Sequence, residues 1–226
     1  MTLKRNTMPG FWKMQRKTNK FAVEPLPGPY KRAVSIPLAV LLRDILKYSA
    51  TVREAKHVLG EGLVKVDGIT RKEHRFAVGV MDIVSVGSEN YIIMPGKKGL
   101  ETRKIKDVTK RLYKINGRSV VRRGKVQLHL YNGWNMLAEG DYMPGDTLIM
   151  ETGTLNIKGV LKMKEGSHVV ITKGKNSGMQ GKVKKIIITK GSQPNIMVIE
   201  SDNGEIALPK DYAYVIGEDK SEIESE

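Results

Sequence analysis

The sequence of 226 residues contains no cysteine, only 6% aromatic residues and no long apolar run. Without cysteine there is no disulfide framework, no thiolate nucleophile and no zinc site built on sulfur. The longest apolar run, near residues 38–42, is far shorter than the roughly 20 residues that span a bilayer. No apolar segment follows the first basic residues, as it would in a signal peptide. We therefore expect a soluble, cytoplasmic protein.

Acidic residues are scarce relative to basic ones: 24 Asp and Glu stand against 39 Lys and Arg, a formal net charge of +15. Residues 1–35 hold eight bases and one acid (+7), and residues 96–125 hold twelve bases and two acids (+10). Residues 36–95 and 126–216 are each +1, and the last ten residues carry −4. Positive charge segregated in this way predicts a polyanionic partner, and a solvated basic face without a partner is the alternative.

Residues 1–35 are predicted to form a basic, proline-rich N-terminal extension. Regular structure is not expected over residues 25–29, where three prolines remove backbone donors. Trp12 lies among the bases, which suits either stacking on an unpaired RNA base or packing on the following domain. We expect this arm to fold only on RNA. Its candidate RNA-binding residues are Lys4, Arg5, Trp12, Lys13, Arg16, Lys17, Lys20, Lys31 and Arg32.

Residues 36–95 predict a small α+β unit. Apolar residues recur with helical spacing over residues 38–45. Thr51 and Glu54 form a capping box, so a second helix should begin at Val52. Its basic face would present Arg53, Lys56 and His57. Short strands are expected at residues 64–66, 69–70, 75–78 and 83–86, with turns at 67–68 and 79–82.

Residues 96–125 are the most basic stretch, yet apolar residues are interspersed among the bases, so we expect part of a folded domain. Strands predicted at residues 126–130 and 147–150, with turn signals between them, favour a β-barrel-like domain over residues 96–160. The candidate RNA-binding residues here are Lys97, Lys98, Arg103, Lys104, Arg111, Arg118, Arg122, Arg123 and Lys125.

Residues 161–216 combine predicted strands with a basic, glycine-rich loop. This segment resembles the KOW motif, in which an apolar strand is followed by a basic loop and then by glycine, lysine and valine, here beginning at Gly181. The KOW motif occurs in SH3-like barrels of ribosomal proteins and transcription elongation factors. Close backbone approach is the physical reason for glycine at Gly181. Candidate RNA contacts are Lys173, Lys175 and Lys182. Strands at residues 196–200 and 205–208 would complete the barrel, and residues 217–226 form an acidic tail that we expect to be mobile.

The order of two helices, the segment 62–68 and the segment 78–84 resembles the S4-like RNA-binding module, which also occurs in pseudouridine synthases and some tRNA synthetases. In that module the basic face of the second helix contacts structured RNA, which implies this role for Arg53, Lys56 and His57. Met81 departs from the glycine that many members have before the aspartate.

The whole arrangement resembles the archaeal and eukaryotic S4e family of small-subunit ribosomal proteins over nearly the entire chain. Residues 25–31, 35–38 and 124–128 carry specific matches, and Tyr30 departs from the histidine that the family often has. The resemblance implies a mainly β, multi-domain fold with an S4-like module, a central β-barrel-like region and a KOW SH3-like barrel. It also implies a structural role in the small subunit: binding rRNA beside neighbouring ribosomal proteins, without catalysis, cofactor, metal or small-molecule substrate.

Two alternatives remain: an RNA-modifying enzyme with an S4-like module and a KOW-type transcription elongation factor. An enzyme needs a catalytic domain, and only the arm and residues 96–160 lie outside the two modules. The four histidines are far apart, and neither a phosphate loop of the form G-x-x-x-x-G-K-[ST] nor a G-x-S-x-G motif occurs. A transcription factor would bind RNA polymerase or nascent RNA, and the basic arm would be harder to explain.

Overall fold

The computed structural model describes residues 3–12, 14–97, 99–106, 108–154, 156–201 and 204–218. They form two compact units. The first runs to Met94 and resumes at Lys98–Val108, and the second comprises Pro95–Lys97 and the chain from Thr109. The described chain is mainly β, as predicted. Among the described residues, no helix combines the length and the apolar character that crossing a bilayer requires.

The helical segment predicted from residues 38–45 is present but not uniform. α1 (Leu38–Val40) continues as a π-helical turn, Leu41–Ile45, in which the Leu46 amide donates to the Leu41 carbonyl at 2.9 Å. All residues from 38 to 42 are fully buried. Burial in the core therefore stabilises a helix that is too short to be stable by propensity alone.

The second helix, α2 (Val52–Gly60), begins where the capping box predicts. The Glu54 amide donates to Thr51 Oγ1 at 3.2 Å, and the Glu54 carboxylate accepts from the Ala50 amide at 2.8 Å. The bond from Ala50, and after it a bond from the Thr51 hydroxyl to the Glu54 carboxylate, hold the pKa of the Glu54 carboxyl below its usual value. Ala55 and Leu59 are buried, which turns the opposite face of α2 to solvent.

Nine short strands accompany these helices. Their bounds are β1 Leu3–Lys4, β2 Phe21–Ala22, β3 Ile36–Pro37, β4 Val64–Val66, β5 Ile69–Thr70, β6 Ala77–Val78, β7 Ile83–Val86, β8 Glu89–Gly96 and β9 Gly99–Lys104. β1 pairs with β2, β3 pairs with β6, and the remaining five form a sheet in the order β5-β4-β7-β8-β9. The strands predicted at residues 64–66, 69–70 and 83–86 are confirmed, and that predicted at 75–78 is limited to Ala77–Val78.

The described residues of the arm pack on the rest of the first unit, and the expectation that the arm folds only on RNA stays a prediction. Trp12 is 2% exposed, and its indole N–H donates to the Ser35 carbonyl at 2.9 Å. The buried Tyr30 donates its hydroxyl proton to Asp82, and its ring lies so close to Gly79 that a Cβ there would be 2.7 Å away. These two aromatic side chains are buried within the first unit, so the arm contributes to its core.

Met81, where the related module often has glycine, adopts a left-handed backbone conformation with φ of 67°. This conformation costs a residue with a Cβ roughly 1–2 kcal/mol. The Met81 side chain is 1% exposed. Burial of a methionine contributes about 1.5–3 kcal/mol, which offsets the backbone cost.

The second unit contains ten strands among its described residues. Their bounds are β10 Lys110–Val120, β11 Val126–Leu130, β12 Asn135–Ala138, β13 Thr147–Glu151, β14 Ile157–Leu161, β15 His168–Ile171, β16 Gln180–Ile187, β17 Ile196–Ser201, β18 Gly204–Pro209 and β19 Ala213–Gly217. They form two antiparallel sheets, ordered β12-β11-β10-β13-β14 and β18-β17-β16-β15-β19. The sequence did not predict β10 or β19, and the residues of the predicted turn before Gly204 lie outside the described residues.

Two buried polar side chains connect these sheets. The Tyr214 hydroxyl of β19 donates to the Leu112 carbonyl at 2.8 Å and accepts from the Lys114 amide at 3.0 Å. The Lys114 ammonium donates to the carbonyls of Asp211 and Ala213, both at 2.7 Å. Both sheets therefore belong to one compact unit, and the domain boundary expected at residue 160 stays a prediction.

Candidate nucleic-acid interface

Most of the predicted RNA-binding residues are exposed: Lys4, Arg16, Lys17, Lys20, Lys31, Arg32, Arg53, Lys56, His57, Lys97, Lys104, Arg118, Arg122, Arg123, Lys125, Lys173, Lys175 and Lys182. Arg103 is half-buried, and Arg5, Trp12 and Arg111 are buried. Lys13 and Lys98 lie outside the described residues. The exposed residues form separate surfaces, chiefly the turn between β10 and β11, one face of α2 and the loop between β15 and β16.

The hairpin tip, residues 120–125, joins β10 to β11 and is strongly basic. Val120 pairs with Val126, and the Val121 amide donates to the Lys125 carbonyl at 2.8 Å, which closes the turn. Arg123 and Gly124 have φ of 66° and 70°, so the chain reverses within a few residues. The tip exposes Arg122, Arg123 and Lys125. A narrow turn with three cations and no acid of its own can approach phosphates closely.

Further along β10, two bases point inward instead. Arg111 is 3% exposed, donates from Nη1 to the Tyr113 hydroxyl at 2.8 Å and lies 4.1 Å from the centroid of that ring. Arg111 was predicted as an RNA contact, and the structure corrects this because its guanidinium is buried beside an aromatic ring. The pKa of the 5% exposed Lys114 is lowered to about 8, mainly by burial; the charge of Asp211 opposes this shift, and the charges of Lys173 and Lys210 add to it. Both residues therefore belong to the interior of the unit.

Trp12 must also be corrected as a candidate stacking residue. Of the two alternatives that the sequence left open for Trp12, packing describes the structure, because the ring is enclosed and its N–H is already bonded to Ser35. Phe21 is the neighbouring aromatic residue with a large exposed fraction, 49%, and the Lys20 ammonium lies 5.5 Å from the centroid of its ring. Of these two aromatic side chains, Phe21 is the one with surface to offer a base.

The exposed face of α2 carries Arg53, Lys56 and His57, so the placement predicted for these residues is confirmed. His57 Nε2 lies 3.3 Å from Glu61 Oε1, one helical turn further on. Arg53 and Lys56 thus add two cations to a regular helical surface, and their contact with RNA stays a prediction.

The basic loop between β15 and β16 exposes Lys173 and Lys175, and Lys182 follows on β16. Lys182 stands opposite His168 in the strand register. Burial, and after it the charge of Lys182, lowers the pKa of His168. A Cβ on Gly181 would lie 2.3 Å from the Glu200 carbonyl oxygen of β17, so the close approach predicted for this glycine is present.

Some exposed bases are paired with acids of the same chain. The Lys104 ammonium donates to Glu89 Oε1 at 2.8 Å. This bond, followed by bonds from the hydroxyls of Tyr48 and Tyr91, lowers the pKa of Glu89 to about 2. Arg32 lies 3.1 Å from Glu24. Lys104 and Arg32 therefore have less net charge to offer to phosphate than the hairpin tip.

Exposed bases that the sequence did not single out extend these surfaces. Lys110 begins β10, and Lys184 and Lys185 follow Lys182 on β16. Lys184 bonds Glu205 on β18. Because side chains two residues apart share one face of a strand, Lys184 could have been predicted to be exposed together with Lys182. In the part of the chain that the structure describes, no group of three or more histidines and carboxylates is placed to hold a metal ion.

Comparison with known proteins shows similarity in both sequence and fold to one family. Residues 87–157 match the model of the ribosomal family S4e. The chain is 36% identical over 222 residues to the small ribosomal subunit protein eS4 of Archaeoglobus fulgidus, which covers 97% of this chain and 94% of the relative. The corresponding protein of Methanococcus aeolicus is 38% identical over 234 residues, with 98% and 96% covered. The crystal structure of the 30S ribosomal protein S4e from Thermoplasma acidophilum gives a TM-score of 0.71 at 29% identity, covering 81% of this chain and 95% of that one.

Proposed function

The chain belongs to the ribosomal S4e family, and from this premise we propose that it is a structural component of the small ribosomal subunit that binds rRNA without catalysis. The observation that carries the proposal is identity of 36–38% over nearly the full length of proteins named as small-subunit components. The surfaces described above supply the means, because exposed lysines and arginines displace counterions from rRNA phosphates.

We assign the roles of the surfaces as follows. The exposed face of α2 would hold a regular pattern of cations against structured RNA, in an S4-like module formed by residues 36–95. The hairpin tip would enter a groove or lie along a phosphate backbone. The loop with Lys173 and Lys175 belongs to a KOW-like SH3 barrel over residues 161–216, an assignment supported by the close approach at Gly181. The arm adds exposed cations around its packed core.

The alternatives receive no support of this kind. An RNA-modifying enzyme and a KOW-type transcription factor would each share one segment with this chain, whereas the similarity to ribosomal proteins extends over almost all of it. Neighbouring ribosomal proteins are expected partners in the assembled subunit, and the ribosome in the cytoplasm is the expected location.

Sedimentation tests the proposal. We expect the tagged full-length protein to migrate with small ribosomal subunits in a lysate at physiological salt, and to be released progressively as salt is raised. Migration with RNA polymerase, or as a free protein at physiological salt, would contradict the proposal. Probing each fraction for rRNA and for polymerase distinguishes these outcomes.

A further inference from the structure

A cavity of about 560 Å³ lies in the first unit, outside the surfaces assigned above. Its lining brings together the start of the arm and the segment that follows α1. The polar residues that line it are Arg5, Asn19, Arg43, Asp44, Lys47 and Ser49. Only Arg5 among them was a candidate RNA contact from the sequence, and it is 6% exposed.

Two buried polar atoms at this cavity lack a partner among the described residues. Arg5 is 6% exposed and Ser49 is 7% exposed, yet neither Arg5 Nε nor Ser49 Oγ makes a hydrogen bond within the described part of the chain. With its amide oxygen turned toward Arg5, Asn19 accepts from Arg5 Nη1 at 3.0 Å, which orients the guanidinium. A buried donor without an acceptor is costly. Both atoms can donate, but both are covered by neighbouring atoms, so an acceptor bound in the cavity would satisfy them once Arg5 and Ser49 turn towards it.

The charge at the cavity is positive. Arg43 donates from Nε and Nη2 to Asp44 Oδ2, at 3.1 and 2.8 Å, so the acid is neutralised by its neighbour. Arg5 and Lys47 then remain as two cations beside the unpartnered hydroxyl of Ser49. Such a set of donors suits an anion with several oxygen acceptors, and phosphate is an anion that arginine and lysine commonly bind.

The backbone at Lys47 provides an independent observation. Its φ is 60°, in the left-handed region that glycine favours, and the Tyr48 amide beyond it closes the helix end by donating to the Leu42 carbonyl at 2.8 Å. Glycine is the usual residue at such a helix end. A lysine there accepts backbone strain, and strain of this kind is typical of functional positions. Here it keeps an ammonium group at the cavity.

We infer that this cavity binds one phosphate group of an RNA backbone. The phosphate oxygens would accept from Arg5 Nε, the Ser49 hydroxyl and the Lys47 ammonium. Exposed lysines favour a polymer over a free ion: Lys4 precedes Arg5, and the Lys20 carbonyl accepts from the Arg5 amide, so positive charge continues outward along the arm. The choice of RNA rests on the proposed function, whereas the binding of a phosphate group does not.

The test uses the full-length protein and two glycine variants. Lys47→Gly removes the ammonium while relieving the left-handed backbone, so this variant should fold. Lys72→Gly is the control, because it removes one exposed lysine of the first unit that does not line the cavity. Inorganic phosphate is titrated at constant ionic strength, and the backbone amides of residues 43–50 are followed by NMR. Binding of purified small-subunit rRNA is then measured for all three proteins.

We expect saturable shifts of these amides with phosphate, about tenfold weaker binding for Lys47→Gly, and no change for Lys72→Gly. Lys47→Gly should also bind rRNA more weakly than Lys72→Gly. Absence of saturable shifts would overturn the site, even if rRNA binds normally to all three proteins. Phosphate binding that depends on Lys47, together with equal rRNA binding by the two variants, would overturn the RNA assignment in favour of free phosphate. Failure of the unmodified protein to bind rRNA would overturn the proposed function itself, and with it the RNA assignment.

Discussion

The two base-rich stretches, residues 1–35 and residues 96–125, place their charges differently. In the arm, the buried side chains include the aliphatic Leu3 and Met8 besides the aromatic Trp12 and Tyr30, and the described bases other than Arg5 lie at the surface. In the central stretch, the long strand β10 turns Arg111 and Lys114 into the interior and carries the hairpin tip outward. Net charge counted along a sequence thus overstates the charge that a surface presents, and it does so more where a strand is buried on both faces, as β10 is over residues 111–115.

Burying Arg111 and Lys114 in the second unit costs free energy, and hydrogen bonds within the same unit offset that cost. Burying a cation requires hydrogen-bond acceptors, since an unpaired charge in an apolar interior is strongly unfavourable. Lys114 has the carbonyls of Asp211 and Ala213, and Arg111 lies on the Tyr113 ring and bonds its hydroxyl. In this unit, therefore, two bases that sequence counting attributes to RNA binding instead contribute to the fold.

The largest effect is expected in the arm, from Trp12→Ala. The substitution removes a buried indole and its bond to Ser35, which should lower the free energy of unfolding of the first unit by about 3–5 kcal/mol. Urea unfolding followed by amide exchange within that unit measures the change. Phe21→Ala is the control: its ring is 49% exposed, so its loss should cost less than about 1 kcal/mol. Unchanged stability with lost rRNA affinity in Trp12→Ala would instead make Trp12 a stacking residue.

The next effect concerns the buried lysine of β10 and depends on pH. The pKa of Lys114 is about 8 in the folded protein, against an ordinary value of 10.5. Between these values the unfolded chain keeps a proton that the folded chain has released, so the free energy of unfolding rises with pH. Relative to that of Lys114→Met, the free energy of unfolding of the unmodified protein should rise by about 3 kcal/mol between pH 8 and pH 10.5. This added stability is absent below pH 8.

Lys110→Met is the matched control for this measurement, because Lys110 lies on the same strand but is exposed. Its stability should follow that of the unmodified protein in parallel across the same pH range. If the curve for Lys114→Met is parallel as well, Lys114 does not titrate as a buried group, and the contrast between inward and outward bases on β10 fails.

Local rules predicted much of the fold. The capping box placed the start of α2, and the turn and alternation signals placed β4, β5, β7, β11 and the beginning of β13. β10 was missed because its apolar residues are interrupted by bases, two of which turned out to be internal. β19 was missed although it is fully buried, since a short apolar run near the chain end indicates a strand only once its partner β15 is known.

The candidate RNA-binding residues were predictable only where the exposure of a side chain follows from the pattern of apolar and polar residues near it in the sequence. The α2 face satisfies this condition, because the spacing of Arg53, Lys56 and His57 and the opposite apolar face are both visible in the sequence. The burial of Trp12 and Arg111 depends on residues distant in the chain, such as Ser35 for Trp12. The cavity around Arg5 and Lys47 depends on the same kind of long-range contact, so no local signal indicated it.

The claim that exposed bases bind RNA while buried bases hold the fold is tested most directly by the salt dependence of rRNA affinity. The hairpin variant combines Arg122→Ala, Arg123→Gly and Lys125→Ala, with glycine chosen because Arg123 has a left-handed backbone. The control combines alanine at the exposed lysines 158, 162 and 164, two of which pair with acids, for the same loss of charge. Lys114→Met serves as the buried counterpart.

We expect the log–log slope of affinity against salt to become shallower by about 2 to 3 for the hairpin variant, since each lost phosphate contact removes roughly 0.7–0.9. The slope should remain close to that of the unmodified protein for the lysine control and for Lys114→Met. A hairpin variant with an unchanged slope, or a Lys114→Met variant with a slope reduced as much as that of the hairpin variant, would contradict the account.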